Sequence, residues 1–442
     1  MIAGDAVRML PATPALRKGH AMAAETPFSI PDFRFYWTAR LASTIGQVSM
    51  VVVIGWQAYD TARHIGMGVK EASFQLGLIG AVQFLPLFLL TLVTGWTADK
   101  LDRRFIARAT ISLEIFCAAA LGWLSWTDQI TLPAIFAIAA LLGVARAFAQ
   151  PALQALAPNL VPLEILPKAI ATSSLAWQAG AIVGPAAGGY LYAVGPEMPY
   201  FVAGGLFVIS LTCMFLIGPK PRTAIRGSRN PWRQMIDGIR YVRHNRLVLG
   251  AISLDLFAVL LGGATAMLPV YARDIFHADS TALGNLRAAP AIGAALTALW
   301  FSARPLERNV GVKMLTAVGV FGAATIAFGL SRSMPLSLLC LAILGSADML
   351  SVYVRQSLIQ LYTPDAMRGR VGAVSTLFIS ASNELGEAES GFLAALIGPV
   401  TAVIAGGVAA IGVTLIWARW FPELRHARTF EVPETLAVPK EA

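Results

Sequence analysis

Charge is scarce in this chain. Asp, Glu, Lys and Arg make up only 13% of its 442 residues, against 56% that are hydrophobic. Soluble domains carry about 25% charged residues, so a sizeable soluble domain is excluded and the chain reads as an integral membrane protein. Cysteine is nearly lacking: Cys117, Cys213 and Cys340 each lie in an apolar run, odd in number and without metal-ligand spacing. That excludes a disulfide framework or a zinc site and leaves three small buried hydrophobes. The five histidines (His20, His64, His244, His277 and His426) fall in loops or tails, so none is placed for an intramembrane proton relay. No phosphate-binding loop is visible, which excludes ATP as a direct energy source within this chain. No nucleophile–base pairing points to an enzyme. The opening residues are polar, with Arg8, Arg17 and Lys18 and no apolar core before a small-residue cleavage site. A cleavable signal peptide is therefore not expected.

What the chain has in abundance is membrane-length apolar runs. A transmembrane helix needs about 20 mostly apolar residues. Twelve such spans are predicted, at 35–59, 74–97, 106–126, 132–153, 169–194, 200–217, 247–271, 282–301, 312–330, 336–359, 371–397 and 400–421. With the amino terminus inside, 26 of the 34 Lys and Arg residues fall on the inner side, counting Arg108, Lys313 and Arg419 at the inner ends of their spans, 4 on the outer side and 4 deeper within spans. Positive charge concentrates in cytoplasmic loops, so both termini are expected in the cytosol. The net charge of +9 is accordingly a topology signal and not a nucleic-acid surface. Most tryptophans fall near span ends, where indole prefers to sit; Trp177 is the exception at mid-depth.

The halves echo each other. The longest loop, 218–246, divides a tail (1–34) and six spans (35–217) from six further spans (247–421) and a tail (422–442). Trp232, Met235, Ile236, Ile239 and Val242 recur in that loop at helical spacing, which predicts a short amphipathic helix on the cytosolic surface. Ala98 to Arg104 aligns with Ala303 to Asn309, and the second copy has lost the acidic residue. Gly189-Tyr-Leu, followed by Val194-Gly-Pro, is echoed by Gly391-Phe-Leu, followed by Ile397-Gly-Pro.

Two motifs carry a family resemblance. The first is Gly95-Trp-Thr-Ala-Asp99-Lys-Leu-Asp-Arg103-Arg104, a tight charged hairpin between the second and third spans. Arginines there would serve as headgroup anchors, but anchoring does not explain the spacing of Gly95 and Asp99. This pattern resembles the loop signature of the major facilitator superfamily of transporters. The resemblance implies an all-α integral membrane fold with 12 transmembrane helices as two parallel six-helix repeats, a substrate site between the halves near the midplane, and a cytoplasmic latch formed by Gly95, Asp99, Arg103 and Arg104. The second motif is Gly180-Ala-Ile-Val-Gly184-Pro185-Ala-Ala-Gly188-Gly189. Glycines four apart make a flat helix face for close packing, and Pro185 removes one helical hydrogen bond. The motif resembles one typical of proton-coupled antiporters in that superfamily. The stretches Leu361 to Val371 and Ser382 to Gly391 are similar to the enterobactin-exporter-like branch of transmembrane secretion effectors.

Ionisable residues inside spans are costly, about 2.5–3.5 kcal/mol at the bilayer centre on insertion scales. Asp348, Glu384 and Glu387 lie near mid-span and are candidates for proton coupling, with a structural ion pair or hydrogen-bonded network between the halves, involving Arg355, as the competing reading. Arg146 and Asp255 are further candidates. Arg146 has the alternative of pairing with an intramembrane carboxylate such as Glu114, while Arg40 and Arg287 sit near enough to span ends to snorkel. Ser43, Gln47 and Gln57 are candidate cavity residues; Trp177 is a candidate for stacking on a ligand or for core packing. The expected function is proton-coupled export of small amphipathic molecules such as siderophores or drugs. The alternatives are an uptake symporter, since fold alone does not fix direction, or a non-transporting membrane sensor. The expected partners are the lipid bilayer, a small-molecule substrate and protons, in a monomer that uses no cofactor beyond the proton gradient.

Overall fold

The computed structural model describes residues 26–218, 231–304, 306 and 308–430. Twelve long helices and one short amphipathic helix dominate the described residues. The first half contains α1 (Pro31–His64), α2 (Val69–Lys100), α3 (Arg103–Trp126), α4 (Leu132–Leu156), α5 (Leu166–Val194) and α6 (Met198–Leu216). The connector helix α7 spans Pro231–His244. The second half contains α8 (Arg246–Leu261), α9 (Ser280–Ala303), α10 (Val310–Leu330), α11 (Met334–Leu361), α12 (Asp365–Ile397) and α13 (Pro399–Trp420). Local signals set the ends. Prolines open α1 and α13, where a missing N–H costs nothing. Asp102, Asn245 and Asp279 cap α3, α8 and α9 by accepting from backbone N–H groups.

Nine of these helices, together with the stretch Arg246–Ile275 that α8 begins, are long and apolar enough to cross a membrane. The two that fall short are α5, built largely from small residues, and α12, which carries Glu384, Glu387 and Glu389. Both pack along the others as full members of the bundle. Several helices outrun the predicted spans: α1 covers 34 residues, about 51 Å at 1.5 Å per residue. An apolar run reports hydrocarbon thickness, whereas the helix continues into the headgroup region.

The seventh span departs from expectation. It is not one helix to 271: α8 stops at Leu261, and a 3-10 turn (Ala264–Met267), one α turn and a π turn (Tyr271–Ile275) follow. The break falls at Gly262-Gly263, where the chain crosses closely over α12. A methyl group on Gly263 would meet the Gly386 carbonyl oxygen at 2.6 Å. Pro269, one turn on, supplies no N–H.

Two helix crossings join the halves: α2 against α12 and α5 against α9. Both depend on glycine. A methyl group on Gly77 of α2 would lie 2.9 Å from the Ala388 carbonyl oxygen of α12, and one on Gly284 of α9 would lie 3.0 Å from the Pro185 carbonyl oxygen of α5. Gly391 meets the backbone of Gly77, and Gly189 meets that of Gly284. The repeated Gly-aromatic-Leu motif thus marks the same crossing in each half. One apolar core fills the first half and continues into α9, α10, α11 and α13, and a second fills α8, α10, α11 and α13.

Candidate functional site

A small cavity lies between the halves. Its apolar wall comes from Val51, Val52, Leu76, Ile79 and Leu283, and its polar groups are Gln83, Thr265, Arg287 and Glu387. One chain of charge runs beside it. Arg146 of α4 donates to Gln83 Oε1 and to Glu384 Oε1 of α12, each at 2.9 Å. One turn along α12, Glu387 pairs with Arg287 of α9 at 2.7 Å. Arg287 also donates to the Thr265 carbonyl at 2.8 Å, an oxygen released by the break after α8. Irregular backbone at membrane depth is tolerated where it lines a cavity in this way. The Arg146–Glu384 pair crosses between halves, while Arg287–Glu387 lies within the second. Side chains of the latter pair are 22% and 29% exposed, so the cavity reaches both charges.

The remaining candidates separate into other places. Asp255 and Asp348 line a second, water-sized cavity inside the second half, with Ser351 and Phe321. Arg355 is 2% exposed and pairs with Asp255, so its ion pair lies within one half and not between halves. Arg146 pairs with Glu384 and not with Glu114, because its guanidinium is turned toward the interface. Arg287 does not snorkel; its helix face points into the cavity. Ser43 and Gln57 are buried inside the first half, Gln57 between Ser125 and Tyr200, and neither lines the cavity. Gln47 is half-buried and donates to Glu114. Trp177 is 43% exposed, which excludes core packing.

In the glycine motif, methyl groups on Gly180, Gly184 and Gly188 would meet Thr44 at 2.6 Å, Val48 at 3.0 Å and Ser49 at 2.8 Å of α1. Gly189 faces α9 instead. The motif therefore seats α5 on α1 and brings its end, past Pro185, onto the opposite half. The surroundings of Gly95 and the side chain of Asp99 lie outside what the structure describes. The hairpin itself is mostly helix: α2 runs to Lys100 and α3 starts at Arg103. Arg104 pairs with Asp102 at 2.7 Å and donates to the Ile217 carbonyl at 3.3 Å, tying the turn to the end of α6.

One cluster was not anticipated. Where α1 ends, Arg63 pairs with Asp274 at 3.0 Å, Asp60 pairs with Arg273, and the Tyr59 hydroxyl donates to Asp274. Two oppositely charged residues one turn apart on α1 meet two adjacent opposite charges in the π turn of the other half. The available signal was the Asp60/Arg63 spacing, but charges at span ends are ordinary and gave no reason to pair these with Arg273-Asp274.

Two six-helix halves joined at glycine crossings around a polar-edged cavity define a secondary-transporter fold. The chain belongs to the Major Facilitator Superfamily, whose sequence profile matches residues 37–387. Among curated relatives, the enterobactin exporter EntS of Escherichia coli (strain K12) is 27% identical over 406 residues, covering 90% of this chain and 94% of the relative; EntS of Citrobacter koseri matches to the same extent. Solved structures share the fold. A bacterial homologue of the human lysosomal transporter Spinster, inward-facing and occupied, superposes with TM-score 0.68 at 14% identity, covering 88% of this chain and 97% of that one. A D-xylose-proton symporter superposes with TM-score 0.66 at 14% identity, covering 89% and 98%.

Proposed function

We propose that this protein is a proton-driven exporter of small amphipathic molecules, with siderophores the first class to test. In this reading it works as a monomer in the bacterial inner membrane, with both termini in the cytosol. The observation that carries it is the Arg287–Glu387 pair on the wall of the inter-half cavity, with Arg146–Glu384 beside it crossing between the halves. An ionised Glu387 accepts hydrogen bonds from a substrate's hydroxyl or amide groups. A protonated Glu387 loses that capacity on one oxygen and releases Arg287. Substrate and proton thus compete for one carboxylate, and competition between two ligands for one site across alternating access is antiport. The glycine-proline motif and the kinship to enterobactin exporters support the outward direction. The hairpin from Gly95 to Arg104 serves as the cytoplasmic latch.

Everted membrane vesicles with an imposed pH gradient test this. Wild-type vesicles are expected to accumulate enterobactin or a dye such as ethidium, and Glu387→Gln is expected to abolish gradient-driven accumulation at normal expression. Accumulation only in right-side-out vesicles would make the protein an importer. Unchanged pH dependence in Glu387→Gln would remove this carboxylate from the coupling.

A further inference from the structure

Glu114 sits midway along α3 with no exposed surface. One carboxyl oxygen accepts from the side-chain amide of Gln47 on α1. The other, Oε2, is buried and has no hydrogen-bond partner among the described residues. Among the described residues, the cation in electrostatic reach is Arg146 of α4, and it already donates to Gln83 and Glu384. The other ionisable group near Glu114 is Cys117 on its own helix. Helix α6, on the other flank of α3, carries no charged residue at all. A carboxylate with an orphan oxygen in such a site is among the most costly arrangements a protein interior can hold, and the group escapes it by taking up a proton.

Gln47 links this buried acid to the cavity. It is half-buried and stands four residues before Val51, which lines the cavity, so the two share one face of α1. Arg146 links the acid to the opposite half, because its present partner Glu384 belongs to α12.

We propose that Glu114 is a proton-binding site of the first half, distinct from the cavity carboxylates, with Gln47 positioning its carboxyl group and Arg146 deciding whether the proton stays. In the structure described here Arg146 is held by Glu384 and Glu114 carries the proton on Oε2. When substrate engages Glu384, or the halves part at α2 and α12, Arg146 is freed and pairs with Glu114. The O–H bond then breaks, the proton passes to water in the cavity, and the carboxylate keeps the electron pair. This deepens the export reading and rests on it for the meaning of the released proton, but the protonated state of Glu114 stands by itself.

The experiment is infrared spectroscopy of the full chain in lipid nanodiscs near neutral pH, without substrate. Wild type is expected to show the carbonyl stretch of a neutral carboxylic acid, shifted by D2O. Glu114→Gln should remove that band. Glu384→Gln, which frees Arg146 for Glu114, should weaken it, and adding Arg146→Gln to Glu384→Gln should restore it; an undiminished band in Glu384→Gln overturns the role of Arg146. Gln47→Ala, which deletes the hydrogen bond and keeps the acid, should move the band to higher frequency. A wild-type protein without the band, or a Glu114→Gln protein that keeps it, overturns the proposal; an unmoved band in Gln47→Ala overturns the role of Gln47. Ethidium export in everted vesicles is measured in parallel. If wild type fails to export ethidium while the infrared pattern holds, the export reading falls for that probe and the proton site survives.

Discussion

Asp255 and Asp348 look alike in the sequence, two carboxylates in apolar runs, yet their surroundings give them different jobs. Asp255 is the counter-ion of Arg355, and both are almost completely buried. Removing one partner of such a pair leaves an uncompensated charge, at about 3–5 kcal/mol. Asp255→Asn is therefore expected to lower yield and detergent-solubilised thermal stability sharply. Asp348 shares the small cavity but does not hold Arg355 in an ion pair. Asp348→Asn is expected to purify normally, and a coupling role predicts lost pH dependence of transport. A size-exclusion profile and a melting curve for each variant, set beside vesicle transport, separate these outcomes; equal destabilisation of both would make the pair purely structural. Mid-span carboxylates are legible in a sequence because each is an exception within an apolar run. Their partners are not, since Arg146 could face Glu114 or Glu384 with equal sequence support and only the rotation of α4 decides.

Helices α2, α5, α9 and α12 form the two seams between the halves, and their glycines set how closely the seams can close. Gly77→Val places a side chain against the backbone at Ala388 and Phe392. Overpacking of this kind costs about 1–3 kcal/mol. The expected result is a lower melting temperature together with greater thiol accessibility of cysteines placed along the α2–α12 seam. Gly372→Ala on α12 is the matched control: nothing lies within 4 Å of the added methyl, and alanine favours helix by about 1 kcal/mol. A Gly77→Val protein as stable and as closed as the control would show that the seam has slack. The glycine spacing was readable in advance, and so was the repeat relating Gly189 to Gly391. The break after α8 was not, because Gly262 and Gly263 sit in a run whose hydropathy never falters.

For the molecule as a whole, the charges at the end of α1 matter most. Asp60 and Arg63 hold Arg273 and Asp274 of the other half, and Lys70 donates to the Leu396 carbonyl at 3.0 Å at the same end. In the proposed orientation, with both termini in the cytosol, this end is the outer face, and these contacts hold the two halves together there. Each partly exposed ion pair contributes about 1 kcal/mol or less, enough together to move a two-state population several-fold. Asp60→Asn combined with Asp274→Asn is expected to raise outward-open molecules, read as faster external labelling of a cysteine placed in the cavity wall. Exchanging Arg63 and Asp274 for each other should restore most of the closure. Labelling unchanged by the double variant would show that the clamp is incidental.

Composition and hydropathy alone determined that this chain inserts in a membrane, as two related sets of six helices, with basic loops on one side. Each of those conclusions depends on quantities summed along short stretches of sequence, and insertion responds to the same local sums. Tertiary structure alone decided which charges meet. Arg146 belongs to Glu384, Arg287 to Glu387, Arg355 to Asp255, and Glu114 has only an amide for company. Ion pairing depends on the rotation of each helix and on distances across seams between residues far apart in sequence, and no local sum contains that information.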